Sequence, residues 1–195
     1  MVTDEALVER TVRGDTHAYD ELVVRWQRVI YNLVYRMLGK EHEAEEVCQD
    51  AFTAAYLNLK NFRREAKFSS WLYRIAINLS TSHLRKRQRT AWESLDEMRE
   101  KGTMADLEAV QWNVGPRPSI EDHAIEQDRA RRVRSAMDQL HPECRIVLIL
   151  KEYHGLTFKE IAEVLNVPIS TVKTRMYAGL SEMKKRLARD GLHEA

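Results

Sequence analysis

The sequence predicts an all-α protein made of two small helical units. Three observations point there. The chain of 195 residues holds only 7 Gly and 4 Pro, too few for a strand-and-turn architecture. Apolar residues recur at three and four over long stretches, and almost none alternate strictly. Between Ala91 and Ser119 that period lapses, and Gly102, Gly115, Pro116 and Pro118 gather there. The length suits one or two small domains. A hydrophobic content of 44% supports true cores, and 31% charged residues imply a well-solvated surface.

The first helix spans Asp4–Arg13 and ends at Gly14. Asp15 caps the second, which runs to Leu38 and stops with Gly39 at C′. The third, from Glu41 to about Leu59, opens with Glu41, Glu43, Glu45 and Glu46 at its positive end. Ala44, Val47, Cys48, Ala51, Phe52, Ala55, Tyr56 and Leu59 form its apolar stripe. Glu46, Gln49, Asp50, Thr53 and Leu57, with Glu45 beside them, occupy the other face. Residue chemistry alone allows two readings of that face, a docking surface or a solvated helix with one outward leucine. A short basic loop, Asn61–Phe68, follows with Phe62, Arg63, Arg64, Lys67 and Phe68. Ser69 or Ser70 then caps a helix reaching about Gln88. Leu72, Ile75, Ala76 and Leu79 face inward. Arg74, Asn78, Thr81 and Arg85 line the outer face, with Trp71 at its edge. Aromatics interleaved with cations suit single-stranded nucleic acid, where bases stack and phosphates need neutralising. Trp71 and Tyr73 serve equally well as core. The run Arg85, Lys86, Arg87, Arg89 closes this unit.

Residues Ala91 to about Ser119 read as a linker, acidic overall and carrying Trp92 and Trp112. It is long for a plain connection, and suits either a loose tether or a segment lying in a partner's channel. Helical periodicity resumes from Ser119 to Leu140, and again from Pro142 through "CRIVLILKEYHG" to Gly155. In "LTFKEIAEVLNVPISTVKTRMYAGL", Thr157 and Glu160 form a capping box. Asn166 to Ile169 break the short helix, and Ser170 caps the next, a helix-turn-helix. Val172, Met176, Leu180, Met183 and Leu187 cluster on one side as core. Ser170, Thr174, Tyr177, Ala178, Ser181 and Lys185 lie opposite, flanked by Lys173 and Arg175. Hydroxyls, an aromatic and cations on a free helix face suit base edges and phosphates in a major groove.

Net charge is only +1, so nucleic-acid binding rests on distribution rather than sum. Basic runs at Arg85–Arg89 and Lys184–Arg189 stand apart from acids at Glu41–Glu46 and Glu93–Glu108, as for two kinds of partner. Cys48 and Cys144 sit in helical apolar patterns and read as buried free thiols. The charged amino terminus shows no signal peptide, and the longest apolar run, Ile146–Leu150, is far too short for a bilayer. A soluble cytoplasmic protein is expected. The 7 histidines are scattered without metal-ligand spacing. No phosphate loop or nucleophile motif appears. An enzyme is not expected, nor a cofactor, a metal or a small-molecule substrate.

Taken together, "AEEVCQDAFTAAYLNLKNF", "KFSSWLYRIAINLSTSHLRKR" and "LTFKEIAEVLNVPISTVKTRMYAGLSEMKKRL" resemble bacterial extracytoplasmic-function (ECF) RNA polymerase sigma factors, of the envelope-stress type. The resemblance covers about Thr3 to Arg189 apart from the linker. It implies a region 2 domain over 1–90, a linker over 91–119 and a region 4 domain over 120–195. It implies binding to core RNA polymerase, through its β′ and β subunits, with Glu45, Glu46, Gln49, Asp50 and Thr53 as the docking face. Phe62, Arg63, Arg64, Lys67, Phe68, Trp71, Arg74, Asn78, Thr81 and Arg85 match the part that recognises and melts the −10 element. Ser170, Thr171, Lys173, Thr174, Arg175, Tyr177 and Lys185 match the reader of the −35 element. Regulation by an anti-sigma factor, in some cases membrane-bound, is implied too. One departure stands at Ala178, where family members often carry a basic residue. A conventional dimeric helix-turn-helix regulator is the alternative. It accounts for the carboxyl-terminal helices but leaves the acidic helix and the aromatic-basic segment idle.

Overall fold

A computed structural model describes residues 2–62, 67–101 and 131–189. Among them every regular element is helical. The elements are α1 (Asp4–Val12), α2 (Thr16–Leu38), α3 (Glu41–Asn58), a 3₁₀ turn (Leu59–Asn61), α4 (Phe68–Lys101), α5 (131–138), α6 (Pro142–Leu148), a π-turn (Ile149–Tyr153), α7 (Phe158–Leu165) and α8 (Ile169–Arg189).

Local chemistry accounts for most boundaries. The Asp15 side chain accepts from the Ala18 amide and starts α2. Gly39 ends it at φ 89°, and its amide donates to the Tyr35 carbonyl. That left-handed conformation costs a glycine little. Leu7, Leu22, Ile30, Leu33, Ala44, Ala51, Phe68 and Leu72 are fully buried where α1 to α4 meet. In the carboxyl-terminal half Val147, Ile149, Leu150, Ile161 and Val172 do the same for α6 to α8. The two halves pack together through α4 against α7 and α2 against the π-turn.

Several boundaries differ from expectation. Helix α4 begins at Phe68, so Ser69 and Ser70 lie inside its first turn and neither caps it. The Trp71 amide donates to the Lys67 carbonyl instead. At its far end α4 runs to Lys101, through what reads as linker from Ala91. The lost apolar period hid a stretch of good helix formers with no breaker before Gly102. Residues 102–130, which hold the rest of the linker and the start of the helix expected from Ser119, lie outside the described residues, as do Arg63 and Arg64.

The helix from Pro142 does not run evenly to Gly155. It widens into the π-turn, where an extra residue per turn is accommodated. That shift turns Tyr153 and His154 towards α2 and α4. Helix α8 starts at Ile169, directly after Pro168, whose carbonyl accepts from Val172. Ser170 therefore sits within the first turn and is not its cap, and its carbonyl accepts from the Thr174 hydroxyl.

The core side of α8 is also rotated from expectation. Val172, Met176 and Gly179 are buried, Met183 and Leu187 are half-buried, and Leu180 is 42% exposed. Gly179 explains the rotation. A Cβ there would lie 2.8 Å from Leu148 Cδ1 and 3.3 Å from Cys144 Cβ. The bare glycine lets α8 close onto α6 and carries Leu180 outward. Both cysteines are free thiols, Cys48 buried and Cys144 half-buried rather than buried. Burial pushes the Cys48 thiol up to about 11.

Candidate nucleic-acid and protein-docking interfaces

Helix α3 presents the most open of the three candidate faces. Its stripe Ala44, Val47, Cys48, Ala51, Phe52 and Ala55 is buried against α2 and α4. Glu45, Glu46, Gln49, Asp50 and Thr53 are all exposed on the opposite side. The Thr53 hydroxyl donates to the Gln49 carbonyl at 2.9 Å. Leu57 stands 72% exposed at the same end as Tyr56, an apolar anchor beside an acidic-amide surface. The first-turn acids divide by role. Glu43 turns inward, with Oε1 on Lys40 Nζ at 3.0 Å and Oε2 3.2 Å from both His83 Nε2 and Arg87 Nη1. Burial raises the Glu43 carboxyl, but Lys40 and Arg87 outweigh it and hold the group below its usual range. Arg87 thus ties the basic run of α4 to α3.

The aromatic-basic segment splits into a floor and a face. Phe68 has 0% exposure and belongs to the core, which removes it as a direct contact to DNA. Its ring packs on Phe62 and Trp71 with centroids 6.2 and 6.0 Å away, and Phe62 and Trp71 lie 5.1 Å apart. Phe62 and Trp71 are half-buried, so this cluster builds a platform under the loop. Tyr73 is core, as one of its two readings has it. Asn78 and Arg85 are exposed, and Thr81 is half-buried with its hydroxyl on the Ile77 carbonyl.

Arg74 and Lys67 face the carboxyl-terminal half. Arg74 Nε donates to the Val164 carbonyl at 3.3 Å, and its Nη2 to the Glu163 carbonyl. These are orphan carbonyls at the end of α7, where a cation also complements the helix dipole. Lys67 Nζ meets Glu160 Oε1 at 3.1 Å. The Tyr73 hydroxyl and His154 Nδ1 are hydrogen-bonded at 3.1 Å. Arg145 Nη2 donates to the Arg36 carbonyl at 2.6 Å, and the Arg36 guanidinium lies 3.6 Å over the Tyr153 ring. Burial, with Arg36 adding, pushes the His154 imidazole down to about 4. None of these cross-contacts is visible in sequence.

The first helix of the helix-turn-helix is capped as its motif requires. The Thr157 hydroxyl accepts from the Glu160 amide at 3.2 Å, and Glu160 Oε2 accepts from the Thr157 amide at 3.0 Å. That amide, Lys67 and the Thr157 hydroxyl bring the Glu160 carboxyl down to about 2. Asn166 closes α7 in the left-handed region at φ 54°, a conformation asparagine tolerates. On α8, Ser170, Lys173, Thr174 and Lys185 are exposed, and Tyr177 is 63% exposed. Ala178 is exposed beside them, and Thr171 is half-buried. Arg175 differs. Its side chain is 21% exposed, and Nη2 meets Glu143 Oε1 of α6 at 2.8 Å. Among the described residues no cluster of His, Cys, Asp or Glu could hold a metal ion, and no helix is long and apolar enough to cross a membrane.

Comparison with known proteins matches two stretches of the chain to family models. Residues 22–90 match Sigma-70 region 2, and residues 130–183 match Sigma-70, region 4. The chain is 34% identical to the ECF RNA polymerase sigma factor SigW of Bacillus subtilis over 92% of its length and 94% of that protein. It is 35% identical to the RNA polymerase sigma-H factor of Pseudomonas aeruginosa over 94% of its length and 93% of that protein. Among solved structures, the sigma factor RpoE in complex with the anti-sigma factor NepR from Bartonella quintana is similar. It has a TM-score of 0.67 and 19% identity, over 87% of this chain and 96% of that one.

Proposed function

Because the chain belongs to the ECF RNA polymerase sigma factors, and so is a promoter-specific sigma factor, we propose how its surfaces divide that work. Residues 1–90 dock on core polymerase and read the −10 element, 91–119 connect, their first part as the end of α4, and 120–195 read the −35 element. The observation that carries this division is the separation of faces. The acidic-amide surface of α3 and the hydroxyl, cation and aromatic surface of α8 are both open, on different domains.

Glu45, Glu46, Gln49, Asp50 and Thr53 form the polymerase contact, on β′, with Leu57 supplying apolar area within a polar rim. Further contacts fall on β. In the −10 part, Arg63, Arg64, Lys67, Arg74 and Arg85 neutralise phosphate. Asn78 and Thr81 meet base edges, and the Phe62–Trp71 platform stacks an unpaired base. Capturing such a base outside the helix offsets lost stacking and pairing, which costs a few kcal/mol per base. This is how binding alone promotes melting. The chain contributes no catalytic group, and phosphodiester chemistry belongs to the polymerase. In the −35 part, Ser170, Thr171, Lys173, Thr174, Arg175, Tyr177 and Lys185 lie along the groove-facing helix. With Ala178 in place of a cation, one phosphate or base contact is missing.

Promoter engagement by Lys67 and Arg74 competes with their contacts to α7, the Glu160 carboxylate for Lys67 and the Glu163 and Val164 carbonyls for Arg74. An anti-sigma factor is the natural regulator, acting where the envelope signal reaches the cytoplasm, which is the compartment of polymerase and promoter. Run-off transcription with core polymerase on a promoter library tests the whole reading. Specific initiation that depends on added protein is the expected result. A stable homodimer that ignores core polymerase and shifts a palindromic operator would establish the conventional regulator instead.

A further inference from the structure

Arg175 lies at the edge of the buried side of α8, between Val172, Met176 and Gly179 on one side and the groove-facing residues on the other. The close approach at Gly179 sets the distance between α8 and α6. Glu143, in the first turn of α6, therefore stands within reach, and its Oε1 meets Arg175 Nη2 at 2.8 Å. Glu143 keeps 55% of its side-chain exposure while Arg175 keeps 21%. The contact takes one nitrogen of a planar fork that carries five N–H donors, so the guanidinium keeps donors on its other nitrogens.

A free surface arginine samples many rotamers and attracts any phosphate. An arginine held by a carboxylate behaves differently in both respects. Its range of positions is narrowed before DNA arrives, which favours a geometrically demanding contact. Its charge is partly compensated, which lowers its pull on DNA of any sequence. We propose that Glu143 is a positioning residue for the −35 reader. It orients Arg175 towards the groove and restrains it from indiscriminate phosphate binding. The inference rests on the assignment of α8 to the −35 element.

The test uses the full chain bound to core polymerase and double-stranded promoter fragments randomised across the −35 positions. Enrichment of preferred over average sequences and the salt dependence of total binding are both read. Glu143→Gln should steepen the log–log salt slope by about 0.9, the value of one added phosphate contact. Enrichment should fall about five-fold, at the low end of what one good side-chain–base pair contributes. Arg175→Lys keeps the charge without the planar fork and should lose enrichment with its salt slope held. In an Arg175→Ala background Glu143→Gln should change nothing further. Unchanged slope and enrichment in Glu143→Gln would overturn the proposal, as would an equal effect with Arg175 absent. If Thr174→Ala, Tyr177→Ala and Arg175→Ala all leave enrichment intact, α8 is not the reader and the assignment beneath the proposal fails. If they reduce it while Glu143→Gln does not, only the positioning role fails. A thermal melt of Glu143→Gln close to that of the unaltered chain shows that the fold is kept.

Discussion

Lys173 and Arg175 are two residues apart on one helix and carry the same charge, yet their surroundings separate them. Lys173 is exposed, whereas Arg175 is ion-paired and mostly covered. Lys173→Ala should therefore weaken promoter binding across sequences alike and make the salt slope shallower by about one. A salt titration of holoenzyme on a promoter fragment measures this. Gly179 offers a second residue-level expectation. Alanine there gains roughly 1 kcal/mol of helix propensity. Its Cβ, however, enters the packed Leu148 and Cys144 contact, where overpacking costs about 1–3 kcal/mol. Gly179→Ala should thus destabilise by on the order of 1 kcal/mol in urea unfolding, and Gly179→Val by more.

Helix α7 spans only Phe158–Leu165, too short to persist without its ends and neighbours. The Thr157–Glu160 capping box satisfies the amino end, and Arg74 satisfies two carbonyls at the other. Thr157→Ala should cost about 1 kcal/mol in denaturant unfolding, the usual loss for a cap. The low position of Glu160 carries a pH sign. Its folded value, about 2 against 4.5, is depressed, so its stabilisation is complete above pH 4.5 and is lost as pH falls towards 2. Helicity followed by circular dichroism across that window should fall less steeply in Glu160→Gln. Helix α3 makes the complementary case. Gln49→Ala and Asp50→Ala remove only exposed groups, so capture of core polymerase should weaken while the unfolding free energy stays within about 0.5 kcal/mol of the parent.

The two halves meet through a small polar-aromatic seam. Tyr73, His154, Arg74, Lys67 and Glu160 lie on one part of it, and Arg36, Arg145 and Tyr153 on another. Arg74→Ala should release α7 from α4 and raise the radius of gyration measured by small-angle scattering. The seam is also acid-sensitive. The His154 imidazole sits at about 4 rather than 6.5 because it is buried and faces Arg36. The unfolded chain takes up that proton first, so the stabilisation is whole above pH 6.5 and declines as pH drops to about 4. His154→Gln cannot titrate, and should show a smaller loss of thermal midpoint between pH 7 and pH 5 than the parent chain.

Much of this architecture was legible along the chain because it is local. Apolar spacing on α2, α3 and α7 depends on residues three and four apart. So do the Asp15 cap, the Gly39 stop and the Thr157–Glu160 box. The open face of α3 follows directly from its buried stripe. Other features needed the neighbours in place. Phe68 reads as an aromatic in a basic loop, and only the convergence of α1 to α4 makes it core. Leu180 has the right spacing to be buried, yet the approach of α6 at Gly179 rotates it outward. Arg74 and Arg175 read as free cations, and each meets a partner on another element, Arg74 on α7 and Arg175 on α6. Periodicity and capping are set within a helical turn, so the chain declares them itself. Which side chain finds a partner depends on segments tens of residues away, and packing alone brings those together.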